Sequence, residues 1–289
     1  MNRRVALSFD LIMATRGRTL EPRRLLESLV SQTHGTFRLI VVDQKCDGRF
    51  TPIVAEYGLA LSIVHLRSEP GLSRARNVGL EQVVGDVVAF PDDDCWYASD
   101  LLERVAAFFT AHPEWDGLSA RSTDEAGHNS VTRWDAKPGT ITRRNVWKRA
   151  NSVSIFLRRE VVEVTGAFDE AIGVGAETLW GASEEIDYLL RGLALGHAFY
   201  FDPDFHVYHR RAREEEAQPD REVGYRYGAG MGRVLRKNRS PWWFALYHVL
   251  RAFGGAAVSF GRGQPAKARF YLAVGMGRVR GWRSRTTAS

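Results

Sequence analysis

The chain has 289 residues, 44% of them hydrophobic, and two cysteines. That is enough for one large domain, or a domain with an extension, and it excludes a disulfide framework. The net charge of +6 is unevenly placed: no Asp or Glu follows Glu222, and residues 223–289 hold 13 Lys and Arg, leaving 27 basic against 34 acidic residues elsewhere. A mildly acidic body with a strongly basic tail suggests an anionic surface as partner, either membrane or nucleic acid.

The N-terminal stretch carries arginines and an apolar run, but Asp10 interrupts it and no small-residue cleavage site follows. It reads as a first strand over 7–14, not as a signal peptide. With so few cysteines, the expectation is a cytoplasmic protein. A loop at 15–18 leads to a helix from about Pro22, with Leu25, Leu26, Leu29 and Val30 as its apolar stripe. Residues 37–43 form a second strand ending in Asp43, nearly all apolar at its end as a parallel central strand should be. A third strand is predicted at 61–66. Ser73 caps a helix with Ala75, Val78 and Leu80 inside. Residues 87–90 form a fourth, buried strand. Strand and helix patterns alternate, which argues for a parallel α/β sheet.

That fourth strand runs into Pro91 and then Asp92, Asp93 and Asp94. A helix starts near Ser99, with Leu101, Leu102, Val105, Phe108 and Phe109 on one face. The acids therefore sit at the C-terminal end of a strand, where open α/β sheets place ligands. Adjacent like charges call for a positive partner, and a hard divalent cation is one candidate. A solvated acidic turn is the alternative.

Residues 115–142 are polar and punctuated by Gly117, Gly127, Pro138 and Gly139. A strand at 152–157 and a short helix at 158–164, ended by Gly166, follow. After a glycine-bearing loop a helix begins at Ser183, with Ile186, Leu189, Leu190 and Leu193 on one face and Gly196 as its stop. Glu184 and Glu185 lie in its first turn, where the helix dipole stabilises carboxylates; they are either capping or catalytic. Of the two, Glu185 is expected nearer the apolar stripe and partly desolvated. Short extended runs at 198–202 and 205–208 close on His209.

The tail starts near residue 213 with an acidic linker. Residues 225–237 are helical and basic. Residues 242–260 are apolar and aromatic, interrupted by His248, Arg251 and Gly254-Gly255. This run fits a segment lying in a membrane interface, with Trp242, Trp243, Phe244 and Tyr247 at the headgroups. A packed helical subdomain or a homodimer contact is the alternative. The aromatic run favours lipid over nucleic acid. Gly228, Gly230 and Gly232 lack the strand and the acid of a dinucleotide fingerprint.

Taken in order, these pieces resemble family 2 glycosyltransferases of the GT-A fold, over about residues 5–211. Leu11 to Arg18 stands at the family's first strand and nucleotide-contacting loop. Leu39 to Asp43 matches its second strand. Pro70-Gly71-Leu72-Ser73-Arg74-Ala75-Arg76-Asn77-Val78-Gly79-Leu80 looks like its G-x-S-x-A-R-N-x-G-L element. Phe90 to Asp94 occupies the DxD site. Gly166 to Glu170, the glycine loop and Ser183-Glu184-Glu185-Ile186-Asp187 match its acceptor-side loop and acidic helix start.

The resemblance implies a mostly parallel sheet flanked by helices, with a Rossmann-like nucleotide-binding half. It implies a catalytic domain over 1–212 and a basic helical extension over 213–289. By the same resemblance Asp94 and Asp92 would hold Mn²⁺ or Mg²⁺, and Thr15, Arg18, Asp43, Arg76, Asp92 and Asp93 would bind a nucleotide-diphosphate sugar. Glu185 would be the general base of an inverting transfer, with Glu184 and Asp187 as alternatives. Gly175 and Trp180 would lie on the acceptor side. His209 is either a further metal or phosphate ligand or a buried structural histidine. The chain departs from the family in having Glu where the base is usually Asp, and in Gln44-Lys45-Cys46-Asp47 after Asp43.

The expected reaction is transfer to a saccharide or lipid-linked acceptor in cell-surface polysaccharide synthesis, on the inner face of a membrane. A sugar nucleotidyltransferase is a second possibility, although residues 15–18 make a poor phosphate loop. A non-catalytic nucleotide or polyanion binder is the third.

Overall fold

The computed structural model describes residues 6–130, 133–210 and 220–284. They form two compact units. The first takes in the described residues of 6–70, 74–168 and 188–210; the second takes in 71–73, 169–187 and 220–284. The boundary expected at 212/213 and the acidic linker lie outside the described residues.

The first unit is built on a nine-stranded sheet. Its strands are β1 (Phe9–Thr15), β2 (Phe37–Asp43), β3 (Ile63–Arg67), β4 (Val87–Ala89), β5 (Cys95–Tyr97), β6 (Gly117–Thr123), β7 (Gly139–Thr140), β8 (Ile155–Arg158) and β9 (Phe199–His209). The order is β3-β2-β1-β4-β8-β6-β9-β5, with β7 paired to β9. The half β3-β2-β1-β4 is wholly parallel. Antiparallel pairings enter with β8. The result is a mixed α/β architecture with a mostly parallel central sheet, as expected.

Alternation along β1 explains the layering. Phe9, Leu11 and Met13 join the main core with Leu25, Leu26 and Leu29 of helix α1 (Glu21–Val30). Helix α4 (Leu101–Ala111) adds Leu101, Leu102, Val105 and Phe109 to the same core. Ile12 points the other way, against Gly79 of helix α3 (Leu72–Leu80), where any Cβ would collide with it. A central strand buried on both faces reads as a continuous apolar run.

Asp10 is the exception in that run, and its surroundings show why it is tolerated. It is fully buried. Arg38, its register partner on β2, donates to both carboxylate oxygens at 2.8 and 2.9 Å. The backbone amides of Val84 and Gly85 donate to Oδ2 at 2.7 Å each.

Several elements depart from the sequence expectation. Residues 117–123, in a polar stretch to which no element was assigned, are a buried strand, because Ser119, Ser122 and Thr123 sit inside the sheet beside Leu118 and Ala120. The two runs at 198–208 are one strand, β9. It pairs with β6 on either side of a bulge: Ser119 opposes Phe201 and Arg121 opposes His206, so Pro203 needs no ladder bond. The strand expected over 152–157 begins with a short 3-10 turn capped by Asn151 and extends only over β8. Helices α2 (Thr51–Tyr57), α5 (Val146–Arg149) and α10 (Pro265–Trp282) carried no clear periodic signal. The short helix expected at 158–164 is α6 (Arg159–Thr165). Glu184–Ala194 forms α7, one residue later than expected.

In the second unit, α8 (Arg221–Lys237), α9 (Trp242–Gly261) and α10 pack together. Asp220 caps α8 by accepting from the amides of Glu222 and Val223. Gly228 and Gly232 lie against backbone carbonyls of Val274 and Arg278 on α10, and Gly277 and Gly281 lie against those of Tyr225 and Ala229 on α8. A Cβ at any of these four would collide with the facing helix. The glycine run that failed as a dinucleotide fingerprint is thus a helix-packing seam. No helix of the described residues is long and apolar enough to cross a membrane.

Replacing Asp10 with Ala strands the Arg38 guanidinium and two backbone amides. The expected cost is about 3 kcal/mol, read as a lowered midpoint of urea unfolding.

Candidate active site

The parallel half of the sheet ends in a row of polar side chains. Thr15 closes β1 and Asp43 closes β2, paired opposite each other. Beyond β4, Asp92 bridges to Ala14 in parallel register. Because β1 lies between β2 and β4, the strand order reverses at this point, the position at which open α/β sheets place a ligand crevice.

Each carboxylate of the acidic turn meets a basic side chain, and Arg18 serves two of them. Arg76, almost wholly buried, donates to Asp92 Oδ1 at 3.3 Å. Its guanidinium lies near the rings of Phe90 and Phe168, 5.9 and 5.6 Å from their centroids. Arg18 donates from one nitrogen to Asp93 Oδ1 and to Asp94 Oδ2, both at 2.7 Å. Thr15 Oγ1 donates to the other Asp93 oxygen at 2.7 Å. Asp93 is therefore committed to holding the Thr15–Arg18 loop.

His209 reaches Asp94 from the end of β9. Register places it opposite Cys95, the residue after Asp94, so β5–β9 pairing delivers the imidazole to the acid. Nε2 lies 3.1 Å from Asp94 Oδ1. Trp96 and Tyr208, the next pair of that ladder, stack at 5.8 Å.

The electrostatics separate the acids. Burial pushes the Asp92 carboxyl up to about 6, although Arg76 pulls it down. Burial acts on Asp94 in the same direction, but His209 and Arg18 outweigh it and hold that group at about 2. Asp93 is raised by burial against the pull of Thr15 and Arg18. Burial disfavours the charged imidazole of His209, yet Asp94 raises it above the ordinary histidine value. One carboxylate is thus firmly ionised beside another poised to gain a proton.

Among the described residues, Asp92, Asp94 and His209 form a group able to hold a metal, each offering one ligand atom, with those atoms within 4.8 Å of one another. Two hard oxygens and one imidazole nitrogen fit Mn²⁺ or Mg²⁺ with positions left for phosphate oxygens. Asp43 is buried, and its Oδ1 accepts from the Lys45 amide at 2.9 Å. The A-R-N element also works structurally: Asn77 exchanges hydrogen bonds with the backbone of Phe168, donating at 3.1 Å and accepting at 2.7 Å.

The second unit holds the other acids. Glu184 is buried, whereas Glu185 is partly exposed, which reverses the expectation that Glu185 would be the desolvated one. The cause is local: a Cβ at Gly173 would stand 3.2 Å from Glu184 Oε2, so the glycine loop folds directly over Glu184. Ser183, just before the helix, has a left-handed φ of 77°. Asp187 is fully buried, and accepts from Lys237 Nζ at 2.7 Å and Asn238 Nδ2 at 2.8 Å. Lys237 also donates to Asp169 at 2.8 Å. Arg226 donates to the carbonyls of Ala176 and Thr178 at 3.2 and 3.0 Å. The amide of Gly173 donates to the Trp180 carbonyl at 2.8 Å, and Gly175, at φ 79°, packs against Gly71. Helix α8 therefore grips the loop bearing Gly175 and Trp180, an anchoring that sequence reading missed because Lys237 and Arg226 lie 48 to 68 residues from their partners.

A parallel nucleotide-binding half sheet with an acid–histidine cluster at its strand ends defines the GT-A class of sugar-transferring fold. The chain belongs to glycosyl transferase family 2, whose profile matches residues 10–159, just over half of it. The glycosyltransferase AglE of Haloferax volcanii is 28% identical over 166 residues, 55% of each chain. The amylovoran biosynthesis glycosyltransferase AmsE of Erwinia amylovora is 26% identical over 62% of this chain and 66% of its own. The match spans about half the length of AglE and about two thirds of that of AmsE. Among solved structures, S. aureus TarS 1–349 in complex with UDP-GlcNAc superposes with a TM-score of 0.62 at 20% identity, covering 93% of this chain and 82% of that one. The mannosyltransferase PcManGT of Pyrobaculum calidifontis, in complex with GDP-Man and Mn²⁺, gives 0.64 at 14% identity, covering 96% and 88%. These two likenesses show the fold. The family match ends before Glu184, Glu185 and His209.

Cys95 is buried next to the acidic turn, and burial with the nearby carboxylates pushes its thiol well above the ordinary value, whereas Cys46 is exposed. A thiol reagent should titrate one cysteine per native chain and two after denaturation.

Proposed function

We propose that the protein is an inverting, metal-dependent glycosyltransferase. It moves a sugar, of hexosyl type, from a nucleotide-diphosphate donor to a hydroxyl of a saccharide or lipid-linked acceptor in cell-surface polysaccharide synthesis. The carrying observation is the Asp92, Asp94 and His209 cluster at the end of the parallel half sheet. Asp92, Asp94 and His209 would hold the divalent cation, which when bound neutralises charge on the leaving diphosphate. Asp43 and Thr15, paired at the strand ends, would face the nucleoside. Arg18, half exposed on the acids, is the cation best able to turn toward a phosphate.

Glu185 is the proposed general base. Its partial exposure in the first turn of α7 leaves it accessible to an acceptor hydroxyl, while Glu184 lies under the glycine loop. One base and one displacement invert the anomeric centre. Asp187 is assigned a positioning role, since Lys237 and Asn238 engage it. Gly175 and Trp180, on the loop held by α8, are placed on the acceptor side. The reaction is placed on the inner, cytoplasmic face of a membrane, where a lipid-linked acceptor would be held.

A thermal-shift series with UDP-, GDP- and dTDP-sugars, with and without Mn²⁺, tests the donor site. One nucleotide should raise the melting temperature in a metal-dependent way, and Asp94→Ala should abolish the rise. Loss of the rise only in the absence of Asp94 supports the cluster; equal shifts in both proteins refute it. Release of pyrophosphate instead of nucleotide diphosphate would favour a nucleotidyltransferase.

Glu185→Gln should lower kcat by about 10²- to 10⁴-fold with the donor-induced thermal shift unchanged. If Glu184→Gln shows that loss and Glu185→Gln does not, the base is Glu184.

A further inference from the structure

Helix α9 is apolar on its outward face as well as its inward one. Its buried residues are Phe244, Ala245, His248, Ala252, Ala256 and Ser259. Its exposed residues include Trp242, Trp243, Leu246, Tyr247, Leu250, Val258 and Phe260, from 43% exposed at Leu246 to 75% at Phe260. Trp243, Leu246, Tyr247, Leu250 and Gly254 stand at i, i+3, i+4, i+7 and i+11 along one face, with Ala257 and Val258 a turn further on. Arg251 is the one charge among the twenty residues of this helix. A helix facing water has a polar outer face.

The charges carried by α9 and α10 are of one sign. Among described residues 220–284, the acids are Asp220 and Glu222, both at the start of α8. Arg262, Lys267 and Arg269 follow α9 and are exposed. The outer side of α10 alternates Arg269, Leu272, Met276 and Arg280, all exposed. On the inner side of α9, Arg278 donates to the His248 carbonyl, and its buried Nε has no hydrogen-bond partner among the described residues. Burial, with Arg251 nearby, pushes that guanidinium down to about 10.

We infer that the exposed face of α9 is a docking surface for an anionic lipid bilayer, lying in the interface with Trp242, Trp243, Leu246, Tyr247 and Leu250 inserted and the flanking arginines and lysine on the headgroups. Charge complementarity selects this occupant. A second copy of the chain would bring Arg251 and its basic surroundings against themselves, with no carboxylate among the described residues of α9 and α10 to offset them. A bilayer with acidic headgroups supplies the missing charge and takes up the aromatic side chains. This inference rests on the membrane placement proposed above and is independent of the donor and of the base.

The test uses the full chain with vesicles of phosphatidylcholine alone and with one-quarter phosphatidylglycerol. The full chain should sediment with the anionic vesicles, less so in high salt, and Leu246→Glu/Leu250→Glu should partition more than about tenfold more weakly. The thermal shift given by UDP, GDP or dTDP with Mn²⁺ should be the same in both proteins. A milder variant guards against misfolding: brominated lipids should quench tryptophan fluorescence in the wild type, and Trp242→Phe/Trp243→Phe should lose that quenching. Sedimentation of the wild type with neither vesicle overturns both the placement and the surface. Equal sedimentation of wild type and the double-Glu variant, or quenching that survives the Phe changes, leaves the placement standing and overturns this surface. A wild-type dimer in solution that Leu246→Glu/Leu250→Glu dissociates, without vesicle binding, assigns the face to a second copy and overturns the inference.

Discussion

Three adjacent carboxylates at the end of a buried strand need compensating cations, and this chain draws them from three separated segments. Arg76 comes from α3, Arg18 from the loop after β1, and His209 from the end of β9. The acidic turn is therefore the point at which the sheet's first, fourth and last strands are tied together. Its charges do not act alike. Asp94 is held ionised by His209 and Arg18, whereas Asp92 is lifted by burial against Arg76. The difference arises from placement, since the three acids are consecutive in the chain.

The second unit follows a related logic with a different chemistry. Glycines let α8 and α10 approach until backbone meets backbone, and this leaves the polar edge of α8 free to face the loop over 169–183. Lys237 then joins Asp169 to Asp187 across that loop. The extension is thus a structural part of the acceptor-side loop as well as a carrier of basic charge. One helix face of the same extension is apolar where water should be, so the extension has two surfaces with separate demands.

Much of the parallel half was legible because it obeys local rules. Residues 37–43 were read as a strand with the observed limits, since parallel strands buried on both faces are continuous apolar runs. The helix bearing Leu101, Leu102 and Val105 was legible from its period. The mixed half was legible only in part: the extended runs read at 152–157, 198–202 and 205–208 overlap β8 and β9. Residues 117–123 hide a core strand behind Ser, Arg and Thr, because its polar side chains are enclosed by neighbouring strands that the local pattern does not reveal. The burial of Glu184 in preference to Glu185 was also illegible, since helical spacing takes no account of a loop folding over one side chain.

By itself the sequence determined most strands and helices of the parallel half, the acids at strand ends, the basic tail and the family. These are properties of short segments, where periodicity, turn residues and charge act over a few positions. Only the tertiary structure decided which cation meets which acid, that His209 arrives opposite Cys95, that Asp187 is taken by Lys237, and that the glycine run is a packing seam. Those outcomes depend on strand register and on backbone approach between segments far apart in the chain, and no local pattern encodes either.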